Sequence, residues 1–146
     1  YDFRSSPRSE TRDVIAVNLT APILIAQALA ANLGRAPDPR ILLMGSTSGL
    51  DHLAPYEVAN SASKLGLRGA AQALNHALAP QKVGVTLINP ANIDTPGVWD
   101  DIDTGLFAPQ TPIPMADILR TVDYVLGCSA ATTPVQIDLF QRDPGA

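Results

Sequence analysis

The sequence is short of most of the features that announce a function. It has a single cysteine, Cys128, so no disulfide can form within the chain, and nothing near it offers metal-ligand spacing. No metal site is therefore expected, and a reduced, cytoplasmic setting is the default. The longest apolar run, Ile23 to Ala31, is interrupted by Gln27 and falls short of the roughly 20 residues a bilayer-spanning helix needs, so no membrane association is expected. Charge is sparse, at 16% of residues, and the ten Lys and Arg are scattered, which argues against nucleic acid as a partner. No Gly-x-Gly-x-x-Gly or Gly-x-x-x-x-Gly-Lys pattern occurs, so the usual backbone cradle for a pyrophosphate is missing. The first residue is Tyr1 and the only methionines are Met44 and Met115, so the chain is expected to be a piece of a longer one.

What remains is 146 residues, 46% of them hydrophobic, enough for one core. Residues 1–10 are polar and aperiodic and read as a loop. Val14, Val17, Pro22, Ile25, Ala28 and Leu29 recur at helical spacing, predicting a helix over 11–33 that stops at Gly34. Ile41–Met44 is a short, wholly apolar run, as expected of a strand buried on both faces of a parallel sheet. A second helix is predicted over 56–79, a second buried strand over Val83–Ile88, a third helix over Met115–Ser129 and a last strand over Val135–Phe140. The Pro-rich stretch from Pro90 to Pro114 reads as a long loop with at most one helical turn. Alternating helices and strands imply an α/β fold with a parallel sheet, of which Ile41–Met44 is a bare, apolar edge.

Four motifs stand out. They are Val17-Asn18-Leu-Thr-Ala-Pro22, Ile41-Leu-Leu-Met-Gly-Ser46-Thr-Ser-Gly49, Asn60-Ser-Ala-Ser-Lys64, and Val83-Gly-Val-Thr-Leu-Ile-Asn-Pro90-Ala-Asn-Ile-Asp-Thr95. In order and rough spacing, over about residues 8–140, they resemble the short-chain dehydrogenase/reductase family. The resemblance implies a Rossmann-type parallel sheet with flanking helices. This chain would supply the C-terminal half of that doubly wound fold, a single partial domain over 1–146 with about three strands and three helices. The first four strands and the Gly-rich cofactor loop would lie upstream. It implies NAD or NADP as cofactor, a small-molecule carbonyl or alcohol as substrate, and a homo-oligomer formed through helices 11–33 and 56–79, where Gly66, Gly69 and Ala73 would allow close approach.

Residue by residue, the resemblance makes Ser46 the group that hydrogen-bonds the substrate oxygen. Lys64 becomes the cation that binds the ribose and lowers the pKa of a neighbouring tyrosine. Asn60 stands where the family has that tyrosine. A carboxamide cannot ionise and so cannot shuttle a proton, although it can donate a hydrogen bond. Tyr56, one turn earlier, would place its hydroxyl about 6 Å away along the helix axis. Asn18 has a local argument of its own, because Pro22 has no N–H and the Asn18 carbonyl loses its partner four residues on. That carbonyl is then free to hold a water of the family's proton relay, or the kink serves packing only.

Pro90, the backbone of Ile93 and the hydroxyl of Thr95 match the loop that binds the nicotinamide carboxamide; the plainer reading is a strand-end turn. Ala91 replaces the family's glycine and would be strained if φ there were positive. His52 and Trp99 fall where relatives line and cover the substrate, against plainer readings of a solvent-exposed loop residue and a core-packing aromatic. Gly45-Ser-Thr-Ser-Gly49 is not a hydrolase elbow, since its nucleophile position is Thr47 and no helix is predicted to follow. Two readings of function result: an NAD(P)-dependent oxidoreductase, or a catalytically silent relative that binds or assembles.

Overall fold

The computed structural model describes residues 3–50 and 58–143. In order come α1 (Arg8–Ile15), a π-helical turn (Ala16–Thr20), α2 (Ala21–Leu33), β1 (Arg40–Met44), a 3-10 turn (Thr47–Gly49), α3 (Val58–Ala77), a second 3-10 turn (Ala79–Gln81), β2 (Gly84–Pro90), α4 (Pro96–Asp103), α5 (Met115–Gly127) and β3 (Gln136–Leu139). The strands form one parallel sheet in the order β1-β2-β3, the expected α/β arrangement with flanking helices.

Several boundaries differ from the sequence reading. The first helix begins at Arg8, not near Thr11, because extended Pro7 turns the chain and its carbonyl accepts from the Glu10 N–H at 3.0 Å. Glu10 then sits in the first turn, where the helix dipole favours an anion. With its π turn, that helix runs unbroken from Arg8 to Leu33 over 26 residues, and only 6% of its most apolar window is buried. By length and composition it could cross a membrane, so the expectation that no stretch is long enough does not hold. The stretch 90–114 contains an eight-residue helix, α4, with Pro96 in its first turn, where a missing N–H costs nothing. The helical segments therefore outnumber the three expected.

Strand β2 is the centre of the molecule, buried from Val85 to Pro90. Its even residues pair with β1, as the Gly84 N–H to Pro39 O (3.0 Å) and Gly45 N–H to Ile88 O (2.7 Å) bonds show. Its odd residues face β3, which begins to pair only at Leu87. Val85 is thus left with polar groups aimed where no strand yet runs. Asn75 of α3 fills the gap, donating to Val85 O at 2.8 Å and accepting from Val85 N at 3.1 Å. Leu67 and Ala71 of α3 pack with Leu43, Val85 and Leu87 to form the core under this face.

Arg40, at the start of β1, ties the sheet to the far end of α5. Its Nη2 donates to the carbonyls of Cys128 (2.8 Å) and Ser129 (3.0 Å), its Nη1 to that of Thr132 (3.2 Å), and both Nε and Nη2 engage Asp38. The side chain is only 7% exposed. A cation at the end of α5 satisfies carbonyls that the helix cannot and complements its dipole. Arg40→Met keeps the volume and removes these bonds, so it is expected to cost about 2–4 kcal/mol. A chemical-denaturation midpoint unchanged from wild type would show that these contacts contribute nothing net.

Candidate active site

Two glycines let the site form. Gly45 lies against the Asn89 carboxamide, and a Cβ there would sit 2.0 Å from Asn89 Oδ1. Gly49 lies on α3, where a Cβ would meet the Lys64 carbonyl carbon at 2.7 Å. The segment between them therefore hugs both the end of β2 and the lysine helix. Within it, Ser46 is extended, and its Oγ accepts from the Ser48 N–H at 3.1 Å and lies 3.2 Å from Ser48 Oγ. That local bond holds the serine at the C-terminal end of β1, where parallel sheets expose their functional side chains.

Lys64 reaches the same strand end. Its Nζ donates to Met44 O at 3.0 Å, two residues before Ser46. Even residues of β1 face away from β2, so this carbonyl belongs to the open edge of the sheet. Burial lowers the pKa of Lys64 below its ordinary 10.5, because desolvation penalises the charged form. Lys64, Met44 and Asn18 also border a groove of about 440 Å³ between α2 and the β1 edge, lined mainly by apolar side chains including Ile25, Leu29, Ile41 and Leu42.

Asn18 sits inside the π turn. There the Ala21 N–H reaches back five residues to the Ala16 carbonyl, the local widening expected where Pro22 cannot supply the regular bond to Asn18. The Asn18 side chain turns to α3, with Nδ2 at 3.2 Å from both Asn60 Oδ1 and Ser63 Oγ. Ser63 is fully buried and its hydroxyl donates to Asn60 O at 2.7 Å. Asn60 is thus tied to Asn18, and none of the three groups can ionise near neutral pH. Ser63 is a member of the site that the sequence reading missed, although its place in Asn60-Ser-Ala-Ser63 puts it one turn from Asn60.

The loop after β2 is held as a short parallel bridge between Ile93 and Ile113. The Ile113 N–H donates to Asn92 O and the Asp94 N–H to Ile113 O, each at 2.8 Å. This pattern leaves the N–H and carbonyl of Ile93 pointing away from the bridge. Thr95 starts α4 in extended conformation without its side chain capping the helix. Pro90 ends β2 and is buried. The condition for strain at Ala91, a positive φ, is not met: among the described residues the only non-glycine residue with positive φ is Lys82. Trp99 lies on α4, 44% exposed, and its indole N–H donates to Asp94 Oδ1 at 2.7 Å. It covers no core. His52 and Tyr56 lie outside the described residues. Among the described residues no cluster of three His, Cys, Asp or Glu side chains could hold a metal.

The model of the short chain dehydrogenase family matches residues 2–104. The 3-dehydrosphinganine reductase TSC10B of Arabidopsis thaliana is 39% identical over 103 residues, which are 68% of this chain and 30% of that protein. Among solved structures, BdcA in complex with NADPH aligns with TM-score 0.82 at 20% identity, covering 99% of this chain and 61% of BdcA. The alcohol dehydrogenase of Thermococcus sibiricus, complexed with 5-hydroxy-NADP, aligns with TM-score 0.79 at 17% identity over 99% of this chain and 57% of its own. The chain spans about a third of the length of the curated relatives it matches. Because the family match covers all four motifs through Thr95, the chain belongs to the short chain dehydrogenase family.

Proposed function

We propose that this chain contributes the substrate and nicotinamide side of an NAD- or NADP-dependent oxidoreductase that acts on a small carbonyl or alcohol. The observation that carries the reading is Lys64, a partly desolvated cation held at the Ser46 strand end with a neutral carbonyl as its partner. A charge kept there at a cost in stability suits a polar ligand that is not part of the fold. The residues fit a dinucleotide. Lys64 would bind the ribose hydroxyls, the outward N–H and carbonyl of Ile93 the carboxamide, and Thr95, not spent on capping, would add its hydroxyl. The pyrophosphate needs residues from another segment, since the sequence has no Gly-rich loop.

When bound, the nicotinamide supplies or accepts the hydride. Ser46 then holds the substrate oxygen by hydrogen bonding, and its short tie to Ser48 orients the hydroxyl. His52 and Trp99 are proposed to contact the substrate, Trp99 from a helix whose exposed indole is braced by Asp94. Asn60 cannot donate the proton, and its carboxamide is engaged by Asn18. This pairing favours the second reading, a catalytically silent relative that serves in binding or assembly. A cytoplasmic location accords with the single, reduced cysteine.

We also propose that the protein is a homo-oligomer through the helix Arg8–Leu33 and α3 (Val58–Ala77), the described parts of the helices expected over 11–33 and 56–79. Val17, Leu24, Ile25 and Leu29 are each at least 45% exposed on the first, and Leu65 is 53% exposed on the second. Gly66 is used inside the chain, packed on Leu19, whereas nothing lies within 4 Å of the Cβ position of Gly69. Gly69→Leu is therefore expected to fold normally and shift the sedimentation profile towards monomer. A profile that stays the same would exclude this helix face.

Two further outcomes test the site. In full-length protein Asn60→Tyr is expected to raise NADPH-dependent carbonyl reduction at least tenfold, since general acid catalysis contributes about 10²–10⁴-fold. High activity with Asn60 that drops in the tyrosine variant would show that position 60 is not the proton-donor position. Lys64→Met is expected to weaken NADPH binding by about tenfold or more, the worth of a charged hydrogen bond, without lowering stability at pH 7. Desolvation depresses the folded-state pKa of Lys64, so the unfolded chain binds the proton more tightly. Wild-type stability therefore rises as pH climbs from the folded value towards 10.5. The variant should lack that contribution to the rise, as pH-dependent melting would reveal.

A further inference from the structure

Outside the residues assigned above, one polar cluster joins three separate stretches of chain. Gln110 Oε1 accepts from Asn92 Nδ2 at 2.8 Å and from Gln141 Nε2 at 2.6 Å. Gln141 Nε2 also lies 3.2 Å from Thr111 O, and Gln110 Nε2 donates to Ala108 O at 3.1 Å. Asn92 follows β2, Gln110 precedes α5 and Gln141 follows β3. All three side chains are half-buried, so a lost partner is not fully replaced by water.

The position of this cluster matters more than its strength. The last sheet bond on this stretch is from Ala91 N to Leu139 O, after which residues 92–94 are held by the 110–113 segment. One oxygen of Gln110 closes the loop 93–109, which contains Thr95, α4 and Trp99, and anchors its base to the end of β3. We propose that Gln110 is a positioning residue. Its Oε1 fixes Asn92, and through the Ile93–Ile113 bridge it orients the Ile93 and Thr95 groups that face the nicotinamide. This rests on the reading that Ile93 and Thr95 hold the cofactor. It makes the cofactor loop and the α4 segment one mechanical unit, so that movement of α4 is felt at Ile93.

The test uses full-length protein carrying Gln110→Leu or Gln110→Glu. Glutamate keeps an oxygen for both donors and loses only the exposed bond to Ala108 O, whereas leucine loses both acceptances. Amide exchange of Asp94 and Ile113 is expected to rise at least tenfold in Q110L, with Leu87 and Ile88 unchanged, because only the local opening is affected. NADPH affinity, read by its fluorescence, should fall about tenfold in Q110L, the scale of a half-buried hydrogen bond. Q110E should restore both readouts, with the thermal midpoint of Q110L lowered by only a few degrees. Unchanged exchange in Q110L, or a Q110E as defective as Q110L, would overturn the clasp. Loosened amides with unaltered NADPH affinity would overturn its cofactor role. If wild type binds neither NADPH nor NADH while exchange responds as expected, the oxidoreductase reading fails and takes the cofactor role of Gln110 with it.

Discussion

The burial of β2 from Val85 to Pro90 is the constraint from which the rest follows. A strand hidden on both faces and both edges must have every N–H and carbonyl matched by protein, because an unpaired buried amide costs as much as a lost hydrogen bond. Strand β1 serves one edge and β3 the other. Where β3 has not yet begun, the Asn75 side chain acts as a surrogate strand for Val85. At the other end the buried Asn89 donates to Asp138 Oδ1 at 2.7 Å, and its oxygen fills the space that Gly45 leaves open. The ends of all three strands are locked together there, and the residues of the site emerge from those ends.

That placement makes the site and the sheet edge share atoms. Lys64 donates to an edge carbonyl of β1, so its ammonium is held partly out of water by the same geometry that leaves the edge open. The π turn opposite brings Asn18 against α3, where it meets Asn60 and Ser63. Asn60 and Asn18 make a neutral hydrogen-bonded pair there, positioned but unable to titrate.

The elements were legible where local physics decides them. The apolar run Ile41–Met44 does form a strand, but as the open edge of the sheet it buries only Leu43 and leaves Met44 42% exposed, so the expected burial on both faces does not hold. Pro22, four residues after Asn18, disturbs the helix as a π turn. The motifs from Asn18 to Thr95 marked the family pattern, and Lys64 reaches the Met44 carbonyl two residues before Ser46. Other features were hidden because they join residues far apart in sequence. Asn75, Arg40, Asn89 and Gln110 carried no signal, as their partners lie 10, 88, 49 and 18 residues away at Val85, Cys128, Asp138 and Asn92. Helix α4 was obscured by the prolines around it, although a proline in the first turn suits a helix that it would break further in.

By itself, then, the sequence determined the alternation of the main helices and strands and the parallel sheet they form, since periodicity and proline placement act within a few residues. Tertiary structure alone decided how the side chains of the site are occupied. Whether Lys64 faces a carbonyl or water, whether Asn60 points at Ser46 or Asn18, and what holds the loop after Pro90 depend on groups brought together only when the three strands and α3 are packed, because hydrogen bonding and desolvation depend on distances that sequence spacing does not record.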